Sequence, residues 1–122
     1  MGNPFVHVEL ATHDLAKAKE FYTGLFDWEL QEVPDLNYTL IGVGEGTGGG
    51  MMVSPRPEVP SYWLPYVQVE DVAASTEKAK SLGASVAYGP MEVPGAGAFS
   101  VIVDPTGAAI GLWQSGPPAP GG

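Results

Sequence analysis

The chain has 122 residues, 44% of them hydrophobic and 16% charged, and its 14 acidic and 5 basic side chains give a formal charge of −9. That length suits one domain with its own core, and the composition is globular rather than disordered. The acidic excess argues against a nucleic-acid partner, whose phosphates are met by clustered Lys and Arg, and against an anionic membrane surface. The absence of cysteine excludes disulfides, thiolate metal sites and cysteine nucleophiles.

Residues 1–4 carry no basic, apolar leader, and no apolar stretch reaches membrane length, so a cytoplasmic location is expected. From Phe5 to Leu10 the residues alternate, with Val6, Val8 and Leu10 on one face and Phe5, His7 and Glu9 on the other, which predicts a strand. Asp14 then offers an N-cap, and Leu15, Ala18, Tyr22 and Leu25 recur at helical spacing. Strands are expected over 28–33, 38–43 and 50–53, separated by Pro34-Asp35 and by a glycine-rich loop. The same order follows: a strand over 63–69, a helix over 71–82, and strands near 85–88, 99–103 and 109–113. A shift of 57 residues sets Asp14 on Asp71 and Leu25 on Leu82, so the chain reads as two βαβββ half-repeats, 4–53 and 62–114.

These half-repeats are expected to make a single α+β domain over 1–114, a cupped mixed sheet with the helices on its outer face. Residues 54–61 have the proline density of a stiff linker, Asp104-Pro105-Thr106-Gly107 signals a turn, and the Pro- and Gly-rich stretch 115–122 reads as a disordered tail. The row facing away from the helices is the candidate ligand surface: Phe5, His7, Glu9 and Ala11 in the first strand, Leu64, Tyr66 and Gln68 in its repeat mate.

His7 and Glu9 face one way, so imidazole and carboxylate can perturb each other and move a proton, or form a polar pair that only shapes the site. Met51, Leu64, Tyr66 and Trp113 suit an apolar ligand wall or plain core packing, and Gln68 suits a polar contact to the ligand or to a neighbouring backbone. His13, beside the cap, is expected to face solvent. The run from Gly44 to Gly49 matches a dinucleotide fingerprint in letters alone, since no helix follows it, and no nucleophile elbow occurs.

The segment from Phe5 to Tyr22, a strand, then Asp14, then a helix carrying Phe21-Tyr22, and the closing stretch from Asp104 to Trp113 resemble the vicinal oxygen chelate superfamily. That group comprises glyoxalase, bleomycin-resistance and dioxygenase proteins, and the likeness extends from Asn3 to Gln114. Its metal-using members draw His and Glu ligands from the first and last strands of each half. Carried onto this chain, the resemblance puts His7 at the first of those places, Leu64 at its repeat mate, Met51 at the acidic place of the first half and Gly111 at that of the second. One ligand of four matches, so no metal or other cofactor is expected, with a divalent ion held through His7 and Glu9 left open.

The resemblance therefore implies a small-molecule-binding, glyoxalase-like protein lacking most of the family's metal ligands, a homodimer that sequesters an aromatic or cationic compound. The alternative is a metal-independent or atypically ligated lyase, isomerase or dioxygenase-like enzyme with His7 and Glu9 as its catalytic pair.

Overall fold

A computed structural model describes residues 2–116. An aspartate starts each helix. Asp14 accepts from the Lys17 amide and opens α1 (Leu15–Leu25); Asp71 accepts from the Ala74 amide and opens α2 (Val72–Ser81). Around them lie β1 (Phe5–Thr12), β2 (Glu29–Val33), β3 (Tyr38–Gly42), β4 (Gly49–Val53), β5 (Tyr62–Gln68), β6 (Ser85–Val93), β7 (Gly97–Val103) and β8 (Ala109–Ser115). The fold is α+β, and the order β-α-β-β-β occurs twice, as the alternation and the paired caps predict.

His7–Leu64 form one compact unit, and the described residues of Met1–Val6 and Pro65–Gly122 form the other. In the first unit the strand order is β2-β3-β4-β1, antiparallel except for the parallel β1–β4 pair, where Glu9 stands opposite Gly50 and Leu10 opposite Met51. In the second it is β5-β8-β7-β6, antiparallel except for the parallel β5–β8 pair, where Tyr66 stands opposite Gly111 and Val67 opposite Leu112. The two registers superimpose under the repeat: Glu9 with Gly50 in one is Tyr66 with Gly111 in the other.

Each helix covers one face of its sheet, and the cores differ in chemistry. In the first unit Leu10, Ile41 and Met51 are buried against Leu15, Ala18 and Tyr22 of α1. Each such side chain contributes roughly 1.5–3 kcal/mol by leaving water. Leu25, expected on the packed face, is 57% exposed. Tyr22 takes the packed position at that end of the helix instead, stacked on Trp28 with ring centroids 5.7 Å apart. In the second unit Val72 packs on Ala98, Ile102 and Leu112. Beside them Thr76 and Ser100, both fully buried, share a hydrogen bond of 2.8 Å, and the Thr76 hydroxyl is also bonded to the Val72 carbonyl at 2.6 Å.

Strand β6 runs to Val93, well past the expected end at Tyr88. Gly89-Pro90 punctuates the sequence there, yet β6 is the outermost strand of its sheet, and register shifts around Tyr88 absorb the proline without costing a ladder bond on both sides. The expected turn at Asp104 is present: the Gly107 amide donates to the Asp104 carbonyl at 3.0 Å, and the Asp104 carboxylate accepts from the Thr106 hydroxyl and amide. Of the expected tail, Ser115 belongs to β8 and the Gly116 amide donates to the Ala96 carbonyl; residues 117–122 lie outside the described residues. No helix among the described residues is long and apolar enough to cross a membrane.

Candidate functional site

Side chains alternate across a strand, so in β1 the core residue Leu10 sends its neighbour Glu9, and His7 with it, to the face away from α1. Tyr38 joins them there. The 3-10 turn Pro34–Leu36 ends at Asn37, whose φ of 49° lies in the left-handed region that Asn tolerates, and β3 begins at the next residue. From that position the Tyr38 ring crosses Gly50, and any Cβ there would overlap its hydroxyl and ring carbons. The bare glycine is what lets the phenol lie flat on the sheet.

The crossing joins the two polar groups of β1. The Tyr38 hydroxyl donates to Glu9 Oε2 at 2.8 Å and lies 2.7 Å from His7 Nε2. A phenol has one proton; with it given to the carboxylate, His7 Nε2 is the donor to the phenolic oxygen and Nδ1 is the basic ring nitrogen. The His7 and Tyr38 rings are within 24° of parallel. Burial holds the His7 pKa below the ordinary value of 6.5, which favours the neutral ring that this arrangement requires. The result is a hydrogen-bonded, partly buried chain, His7 to Tyr38 to Glu9, on the face of the sheet away from α1.

The other residues singled out from the sequence fall as follows. Met51 is fully buried in the α1-side core, opposite Leu10; the register makes its neighbour Gly50, and not Met51, the counterpart of Gly111. Leu64 is buried. In the second unit Tyr66 is buried over Gly111, where any Cβ would overlap its ring, and meets Phe99 edge to face at 6.2 Å, with Tyr88 5.7 Å beyond. Gln68 and Trp113 stand opposite one another in the same register, with Phe99 paired to Trp113 across β7. Trp113 donates its indole N–H to Ser115, and Gln68 is tied through its backbone to Pro4 and Asn3. His13 donates its amide to Ser61 and bonds the Val59 carbonyl through its ring, which anchors the linker to the end of β1.

Residues 5–112 match the family described as the Glyoxalase/Bleomycin resistance protein/Dioxygenase superfamily. The chain belongs to that superfamily. Among curated members it is 37% identical over 115 residues to CFP32 of Mycobacterium bovis, whose name assigns it provisionally as a glyoxylase, covering 88% of this chain and 44% of that one. It is 30% identical over 134 residues to the anthracycline biosynthesis protein DnrV of Streptomyces peucetius, covering 88% of this chain and 46% of DnrV. The chain thus spans less than half the length of these relatives. Among solved structures, methylmalonyl-CoA epimerase from Mycobacterium tuberculosis shares the fold at a TM-score of 0.69 and 20% identity, with 93% of this chain and 88% of that one covered.

Metal centres of the superfamily need His and carboxylate donors converging from several strands. Here the places equivalent in register hold Gly50 and Gly111, and among the described residues no group of three or more His, Asp or Glu side chains could hold a metal. The Tyr38 hydroxyl moreover occupies the position between His7 Nε2 and Glu9 Oε2. This donor set does not fit the superfamily's metal site.

Proposed function

We propose that the chain binds a small, oxygen-bearing organic molecule on the Glu9 face of its first unit and transfers a proton to or from it through Glu9. The observation that carries this is the His7–Tyr38–Glu9 chain. Its three members do distinct work. The Glu9 carboxylate is the base that accepts an acidic C–H or O–H proton of the ligand. Tyr38 orients that carboxylate through its donated hydrogen bond, and neutral His7, donating from Nε2, keeps the phenolic proton directed at Glu9 rather than at itself. Returning the proton to a different ligand atom completes an isomerisation; loss of a leaving group before its return completes an elimination. The part that DnrV's name gives it in anthracycline biosynthesis supports a ring-bearing, oxygen-rich ligand class. The same proposal takes the protein as a homodimer, tested by its sedimentation mass.

A second possibility, sequestration of an aromatic compound without turnover, has one observation in its favour: the contiguous wall of Tyr66, Phe99 and Tyr88 in the second unit. One experiment separates the two. Hydroxyquinones and hydroxyketones are incubated with the protein in heavy water, and deuterium entry into the ligand is followed by NMR while calorimetry follows binding. Proton transfer predicts exchange that Glu9→Gln abolishes and Tyr38→Phe slows by about tenfold or more, with binding retained. Binding with exchange at the background rate, or exchange indifferent to Glu9→Gln, rejects the proposal in favour of sequestration.

A further inference from the structure

On the α1 side of the first sheet, away from the face that carries Glu9, a cleft of about 350 Å³ is lined by Tyr22, Phe26, Trp28 and Trp63 above Val8 and Ile41. Its walls come from two directions. Tyr22 and Trp28 lie within 23° of parallel, whereas Trp63 stands at 80° to Tyr22 and 76° to Trp28. The Trp63 indole N–H donates to the Tyr22 hydroxyl at 3.3 Å and fixes that corner. Two of the rings remain open to water, Phe26 at 44% and Trp63 at 37% exposure. No Lys or Arg is among the lining residues. Asp27 stands between Phe26 and Trp28, and Glu45 lies two residues before Thr47 of the lining; both are exposed.

We propose that this cleft is a second ligand site, separate from the His7–Tyr38–Glu9 face, and that it takes a small lipophilic organic cation of the quaternary alkylammonium class. The chemistry narrows the choice by elimination. A metal ion would lose its water for walls that offer almost no oxygen, and an anion would meet ring faces of negative potential inside a chain of charge −9. A polar neutral molecule would leave hydrogen bonds unmade. A quaternary ammonium spreads its charge over alkyl groups that pack on Val8 and Ile41, holds little water, and is attracted to Trp and Tyr faces, while the exposed Asp27 and Glu45 beside the lining segments add negative charge. The volume suffices for such a ligand, since small-molecule sites begin at roughly 300 Å³.

The test is calorimetric titration of the full chain with benzyltrimethylammonium and tetramethylammonium, each against an uncharged counterpart of the same shape, for the latter neopentyl alcohol. The cations are expected to bind about tenfold more tightly than their neutral counterparts. Trp63→Leu should weaken the cations by about tenfold and the exposed-ring change Phe26→Leu by a few-fold, with circular dichroism confirming that each variant folds. Equal affinity for cation and neutral counterpart, no saturable binding of either, or affinity unchanged in the folded Phe26→Leu variant would each overturn the proposal.

Discussion

The two βαβββ units repeat one backbone arrangement and fill it with opposite chemistry. In both, a first-strand residue stands opposite a glycine of the fourth strand and a tyrosine ring lies over that glycine. In the second unit the first-strand residue is itself the tyrosine, Tyr66, and it leads into Phe99 and Tyr88. In the first unit the first-strand residue is Glu9 and the tyrosine arrives from β3, so the ring bridges Glu9 to His7. A duplicated scaffold thus keeps the bare glycine and exchanges an apolar stack for a hydrogen-bonded chain. The cores are traded the other way: α1 packs apolar and aromatic side chains, while α2 seals a buried hydroxyl pair.

The sharpest way to break this comparison is to fill both glycines. Gly111→Val forces the buried Tyr66 ring out of a closed site and should cost about 3 kcal/mol in urea denaturation. Gly50→Val meets a Tyr38 that is only partly buried and can swing away. It should cost about half as much, roughly 1.5 kcal/mol, while removing the His7–Glu9 connection and slowing the deuterium exchange as Tyr38→Phe does. Similar losses of stability at the two positions would mean that the units tolerate crowding alike.

Next in size is the buried hydroxyl pair. Thr76→Val keeps the shape but deprives the Ser100 hydroxyl of its partner, for an expected loss of about 2 kcal/mol, part of which Ser100→Ala should restore in the double variant. The caps sharpen the likeness rather than the difference. Asp14→Ala and Asp71→Ala each remove one acceptor from a helix start and should cost about 1 kcal/mol apiece, equal within error by the same denaturation. The smallest effect belongs to His7. Its folded pKa lies below the unfolded value, so above about pH 6.5 both states carry neutral imidazole and the ring adds no pH dependence. As pH falls through that value the unfolded chain takes up a proton that the folded one resists, and stability declines. His7→Gln should flatten this part of the stability profile while leaving the alkaline side unchanged.

Element order was legible because it is local: alternation marks β1, and an aspartate followed by apolar residues at helical spacing marks α1 and α2. What escaped depends on neighbours. Gly89-Pro90 reads as a stop, and only the edge position of β6 lets the strand continue through it. Met51 and Gly50 are adjacent letters that face opposite ways, and choosing between them as the partner of Glu9 requires the β1–β4 register. His7 and Glu9 were visible as a pair from their spacing alone. Tyr38, about thirty residues away, was not, although it shares parity with Leu40, the β3 residue opposite Gly50. The aromatic cleft was hidden for a like reason, since Trp63 reaches Tyr22 and Trp28 only once the linker has brought it back.

The ring over Gly50 also constrains how this protein can change. The Tyr38 ring in its present place and a side chain at position 50 claim one volume, so the bridge to His7 and such a side chain are alternatives in descent. A lineage moving from this arrangement to one with a carboxylate at position 50 must first give up the tyrosine, and with it the bridge between His7 and Glu9. Related chains with tyrosine at position 38 are therefore expected to carry glycine at position 50, a one-way coupling that an alignment of relatives can read directly from these two columns.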